Sequence, residues 1–81
     1  MLMGEKRALR IPRGQNRYIT SIYLEKPFWL TLEEMADEFG ISLPELVSHI
    51  DGRYENSGNA PRNLASCLRV ACLSWQTDRK L

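Results

Sequence analysis

The clearest alternation of apolar and polar positions runs from Arg17 to Glu25, RYITSIYLE. Strand side chains alternate between faces, so Tyr18, Thr20, Ile22 and Leu24 share one side and Arg17, Ile19, Ser21 and Tyr23 the other. The segment is rich in β-branched and aromatic residues, which predicts a strand. Upstream, Leu9 and Ile11 alternate with charged neighbours, a pattern that allows a short edge strand. Pro12 and Gly14 interrupt it, and residues 1–16 otherwise read as an arm. That leaves a single well-marked strand, whose N–H and C=O groups need a partner. The same strand of a second copy is the simplest one.

From Pro27 the spacing becomes helical. Phe28, Trp29, Leu32, Met35, Ala36 and Phe39 recur on one face, and Glu33, Glu34, Asp37 and Glu38 take the wet face. Pro27 suits a first helical turn, and Gly40 is a stop signal. A second helix starts after Ser42, where SLPE has the capping-box spacing. Its stripe is Leu43, Leu46, Val47, Ile50 and Tyr54; Gly52 inside it costs about 1 kcal/mol against alanine. The segment Asn56–Ala60, NSGNA, is a loop by composition. A third helix runs from near Pro61 to about Gln76, with Leu64, Cys67, Leu68, Ala71, Cys72 and Trp75 as its stripe. Val70 and Leu73 add apolar surface outside it, and Arg62, Ser66 and Arg69 form a narrow polar line. A helix apolar over so much of its surface is usually buried, which again points to a partner subunit. The expected division is a basic arm at 1–16, a folded domain at 17–76 and a polar tail at 77–81.

A chain of 81 residues is one domain with a small core, so oligomerisation, a metal or disulfides would help it. Cys67 and Cys72 lie five apart on a helix and point away from each other, which disfavours a disulfide between them. No Cys or His cluster has zinc spacing, and no cofactor motif is present. No apolar run approaches the ~20 residues of a membrane span, and the N-terminus lacks the apolar core of a signal peptide. A cytoplasmic protein is expected. Net charge is +1, but its distribution is uneven. Met1–Arg17 carries five basic residues against Glu5, a surplus of +4, and the remainder carries −3. Such an arm can serve an anionic partner or simply be solvated.

The order strand, helix, short turn, helix resembles the ribbon-helix-helix proteins, the class of the Arc and methionine repressors. Leu24 ends the strand. Phe28, Trp29, Leu32, Met35 and Ala36 fall at the first helical core positions, Gly40 makes the turn, and Leu46 and Val47 follow the Ser42 cap. The blocks TSIYLEKPFW, LEEMADEFGISLPELVSHIDGR and NLASCLRVACL resemble an uncharacterised bacterial subfamily with a third helix, a likeness spanning Thr20 to Leu73. The resemblance implies a mainly α fold with one strand and three helices per subunit, in a homodimer whose two strands form an intersubunit antiparallel ribbon. It also implies DNA as a partner and a role in transcription regulation, with the ribbon entering the major groove.

On that reading the contact residues are Lys6, Arg7, Arg10, Arg13 and Arg17 from the arm, with Ile19, Ser21 and Tyr23 on the outward strand face. That strand face is poor in the donors and acceptors that match base edges: Ser21 and Tyr23 can each make one bond, and Ile19 can touch only a thymine methyl. The arm can supply phosphate contacts. The alternative is a dimer repurposed for a protein partner or a small ligand. Asp51, Arg53, Tyr54 and Arg69 border the core and could hold the two ends of an amino-acid-like zwitterion, or equally tie two helices together by ion pairs. An enzyme is not expected. His49 is the only histidine and belongs to no catalytic pattern. Trp29 and Trp75 both lie in helical stripes and read as core residues.

Overall fold

A computed structural model describes residues 3–56 and 63–79. The elements are β1 (Gly4–Arg13), β2 (Asn16–Glu25), α1 (Lys26–Phe39), α2 (Leu43–Asn56) and α3 (Leu64–Arg79). The chain is mainly helical, as expected, but it has two strands where the pattern suggested one. Residues 4–13, expected as part of an arm, form β1 and pair antiparallel with the whole of β2, from Gly4 opposite Glu25 to Arg13 opposite Asn16. Within the chain, the partner strand that β2 needs is thus supplied by β1.

The turn explains why. Gly14 and Gln15 are the only residues between the strands. Gly14 has φ +61°, and no other residue type among those described takes positive φ. A positive φ at the first central residue alone is the sign pattern of a type II′ turn, whose twist matches that of a hairpin. Pro12, which argued against a strand, lies on β1, an edge strand where a missing N–H is tolerated.

One face of the hairpin is buried. Ile11, Ile22 and Leu24 are 1%, 4% and 0% exposed, and Leu9 and Tyr18 are partly buried beside them. Full burial of such aliphatic side chains stabilises by roughly 1.5–3 kcal/mol each. The cover comes from the helices of the same chain: α2 packs on β1, while α1 and α3 pack on β2. Trp29, Leu32, Val47, Leu68 and Cys72 are completely buried at the centre. The inward set on β2 is therefore the one expected from alternation, and within the chain β1 pairs it and the helices cover it.

Short polar links fix the helices to the hairpin. The Trp29 indole N–H donates to the Glu5 carbonyl at 2.8 Å, and the Lys26 amide to the Met3 carbonyl at 2.9 Å. Ser48 Oγ donates to the Pro12 carbonyl at 2.7 Å, and Tyr18 Oη to Asp51 Oδ2 at 3.2 Å. On the far side Gln76 Nε2 donates to Thr31 Oγ1 at 3.0 Å, joining α3 to α1.

The helix ends follow local chemistry. Gly40 closes α1 in the left-handed conformation at φ +69°. The Glu45 amide donates to Ser42 Oγ at 3.2 Å, the cap expected of SLPE. The third helix starts later than expected. Asn63 caps it, its Oδ1 accepting from the Ser66 amide at 3.2 Å, so the first helical residue is Leu64. It also runs on to Arg79, through part of the segment expected as a tail. Cys67 and Cys72 are buried, and burial pushes the Cys72 thiol up to about 11, so it stays protonated and unreactive at neutral pH. Val70 and Leu73 remain about half exposed, so α3 is not buried on all sides.

Candidate nucleic-acid interface

The hairpin register sorts the basic residues by face. Lys6 stands opposite Tyr23, Ala8 opposite Ser21, Arg10 opposite Ile19 and Pro12 opposite Arg17. These eight positions share the outward face. Lys6, Arg10, Arg17, Ile19, Ser21 and Tyr23 are all exposed. The arm and strand residues expected to act separately thus form one surface on two paired strands. Lys6 and Arg10 add two cationic donors to those of Arg17, which stands on β2 with Ile19, Ser21 and Tyr23.

The electrostatics of this face are one-signed. Among the described residues Lys6, Arg10 and Arg17 make no ion pair. Glu25, at the end of β2, is engaged by α3: Arg69 Nε donates to Glu25 Oε1 at 2.9 Å and Arg69 Nη2 to Oε2 at 3.4 Å. The hydrogen bond from Arg69, then a backbone hydrogen bond, holds the Glu25 carboxyl below its ordinary value near 4.5. A depressed folded pKa gives stability that is present above the unfolded value and lost as pH falls through the folded one. Glu25→Gln is therefore expected to flatten the acid side of the stability curve while changing little at high pH. Urea midpoints measured near neutrality and at about pH 3 check this; parallel losses on acidification in both proteins would remove the assignment.

Arg7, expected with the contact residues, faces inward instead. It lies opposite Ile22, its guanidinium is 4.8 Å from the Trp29 ring centroid, and it bonds to Glu5 and, at 3.3 Å, to Glu33 of α1. Strand parity separates it from Lys6, its immediate neighbour. The Arg13 side chain lies outside the described residues.

Gly4 has a role that composition did not mark. A Cβ at Gly4 would lie 1.9 Å from Tyr23 Cζ and Oη. The phenol therefore rests across the bare glycine backbone, which sets its position on the outward face. The signal available in the sequence is a Gly-X turn, Gly14–Gln15, between two alternating segments, which places Gly4 within reach of Tyr23 by register.

Of the expected ligand residues, Asp51 and Arg69 meet different partners. Asp51 meets Tyr18, whereas Arg69 meets Glu25. Tyr18 and Glu25 are seven residues apart on β2, about 23 Å along an extended strand. The Arg53 and Tyr54 side chains lie outside the described residues. Asp51 and Ser48 instead line a small recess beneath the hairpin turn with Ile11, Pro12 and Gly14. His49 borders an apolar cleft of about 350 Å³ between the helices, with Phe39, Ile50 and Trp75. No group of three or more metal-ligating side chains occurs among the described residues, and no helix there is long and apolar enough to cross a membrane.

Comparison with protein families matches residues 5–76 to the ribbon-helix-helix domain. The chain belongs to that family. No curated protein and no solved structure matched it. Ribbon-helix-helix domains are generally DNA-binding transcription regulators and typically act as homodimers. The match includes β1 from Glu5 onward, so the first strand is part of the ribbon-helix-helix domain and not an appendage to it.

Proposed function

We propose that this ribbon-helix-helix protein binds double-stranded DNA as a regulator in the cytoplasm, with the outward face of the β1–β2 hairpin as its contact surface. The observation that carries this reading is the row of exposed Lys6, Arg10 and Arg17, unpaired among the described residues, beside Ser21 and Tyr23 on a two-stranded ribbon. A ribbon of this width fits the major groove. Cations on it neutralise phosphates and release counterions, while Ser21, Tyr23 and Ile19 face the base edges. Arg69 supports the surface by drawing the Glu25 carboxylate off it.

Replacing Lys6, Arg10 and Arg17 together by Ala is expected to weaken duplex binding strongly. It should also reduce the slope of log affinity against log salt by roughly 0.9 for each phosphate no longer neutralised. Arg7→Ala, on the inward face, should lower thermal stability and leave that slope unchanged. Fluorescence anisotropy with labelled duplexes over a salt series measures both. Equal slopes for the wild type and the triple variant would discard this contact surface.

A further inference from the structure

We infer that the Tyr23 hydroxyl donates to a DNA phosphate and reads no base, and that Gly4 is the positioning residue that aims it there. The inference rests on the DNA-binding reading above and assigns one contact within it. It holds for any number of chains on the duplex, because Gly4 and Tyr23 belong to the same hairpin.

Strand side chains ordinarily stand roughly perpendicular to the sheet. On the outward face that direction leads to the floor of the major groove, about 8.5 Å deep, where the base edges lie. Tyr23 does not follow it. Its direct partner across the ribbon is Lys6, and Gly4 is the diagonal neighbour on the same face. The far end of the phenol occupies the place of a Gly4 Cβ, which would lie 1.9 Å from Cζ and Oη and 2.4 Å from Cε1. The ring therefore crosses from β2 to β1 close against the backbone, in space that any side chain at position 4 would fill. It is still 54% exposed, so this path runs along the surface of the ribbon.

The destination decides the chemistry. A ribbon seated in the major groove turns its outward face to the bases and its strand edges to the phosphate walls on either side. β1 is an edge strand, and Tyr23 carries its hydroxyl over to it. The ring is left towards the bases and the O–H towards the wall. A phenol O–H is a single donor suited to a phosphate oxygen. It is also unspent. Among the described residues the Tyr23 hydroxyl makes no hydrogen bond. Glu25, directly opposite Gly4, has its carboxylate engaged by Arg69. Contacts to phosphate fix register and carry no sequence information, so Tyr23 sets where the ribbon sits and leaves discrimination to its neighbours.

The test measures the full chain on three probes: poly(dA·dT), poly(dG·dC) and the duplex that the wild type recovers from a random pool. Tyr23→Phe keeps the ring over Gly4 and removes only the O–H. It should weaken binding to all three probes by the same factor, roughly threefold to tenfold, the size of one hydrogen bond. Gly4→Ala puts a methyl group where the phenol lies and displaces only the far end of an exposed side chain, so the fold should persist by circular dichroism. Its affinity should fall on all three probes at least as far as that of Tyr23→Phe. Replacing phosphates of the selected duplex one at a time by methylphosphonates should find a position that weakens the wild type and leaves Tyr23→Phe unaffected. A Tyr23→Phe loss confined to the selected duplex would overturn the inference, since the hydroxyl would then be reading a base. Wild-type affinity in Tyr23→Phe, or in a folded Gly4→Ala, would overturn it too, and each of these results leaves DNA binding standing. No binding of the wild type to any probe at low salt would instead reject the DNA-binding reading on which it rests.

Discussion

Trp29→Ala is expected to unfold the protein. The side chain is fully buried, and its removal leaves a cavity at the junction of α1 and β1. Large aromatic truncations cost about 3–5 kcal/mol. A chain of 81 residues has roughly 4–12 kcal/mol in total, so this one change removes much or all of the margin. Two further effects add to it. The Glu5 carbonyl loses its donor, and the Arg7 guanidinium loses the ring beneath it. Trp29→Phe separates the contributions. It keeps a ring and most of the volume but not the N–H, and should cost about 1–3 kcal/mol, the range for a hydrogen bond removed with its partner left buried. Circular dichroism melts of the three proteins give the comparison. An alanine variant that melts within a few degrees of the wild type would show that α1 is not held to the hairpin through this residue.

Deleting residues 1–13 should abolish the native fold. Every β2 residue from Asn16 to Glu25 has its strand partner in the deleted segment. The deletion also removes Ile11, 1% exposed, and the carbonyls of Met3, Glu5 and Pro12 that accept from Lys26, Trp29 and Ser48. What remains is a solitary strand above a half-open core. The remedy left to it is a second truncated chain, whose β2 would take the place of β1. Any folded product should therefore be a dimer whose melting temperature rises with concentration. Sedimentation combined with far-ultraviolet circular dichroism distinguishes the cases. A truncated chain that stays helical as a monomer would mean that β1 adds to the fold without being required for it.

The helices are legible in the sequence because their signals are local. Apolar spacing, Pro27, Gly40 and the Ser42–Glu45 pair each act within a turn or two, and the structure uses all of them. The first strand is harder to see because its clues conflict. Leu9 and Ile11 alternate, but Arg7 occupies an inward position where an apolar residue is normal. It is tolerated there because Trp29, Glu5 and Glu33 surround the guanidinium. Pro12 reads as a breaker in isolation and is harmless on an edge. The outward face of β2 follows from parity alone, yet half of the candidate surface belongs to β1 and depends on recognising the Gly14–Gln15 turn. Pro61 is the more conspicuous start signal for the third helix, but Asn63 is the residue that caps it. The Arg69–Glu25 pair spans 44 residues, and no local pattern announces it.

The two-residue turn also fixes how the ribbon depends on the amount of protein. When two dissociable chains must meet to build a binding surface, its abundance at low expression grows with the square of the chain concentration. Strands joined by Gly14 and Gln15 close on each other in a first-order step, and hairpins of this kind form in roughly 1–10 μs. The fraction of chains whose β1–β2 hairpin is closed is then the same in a dilute cell as in a crowded one.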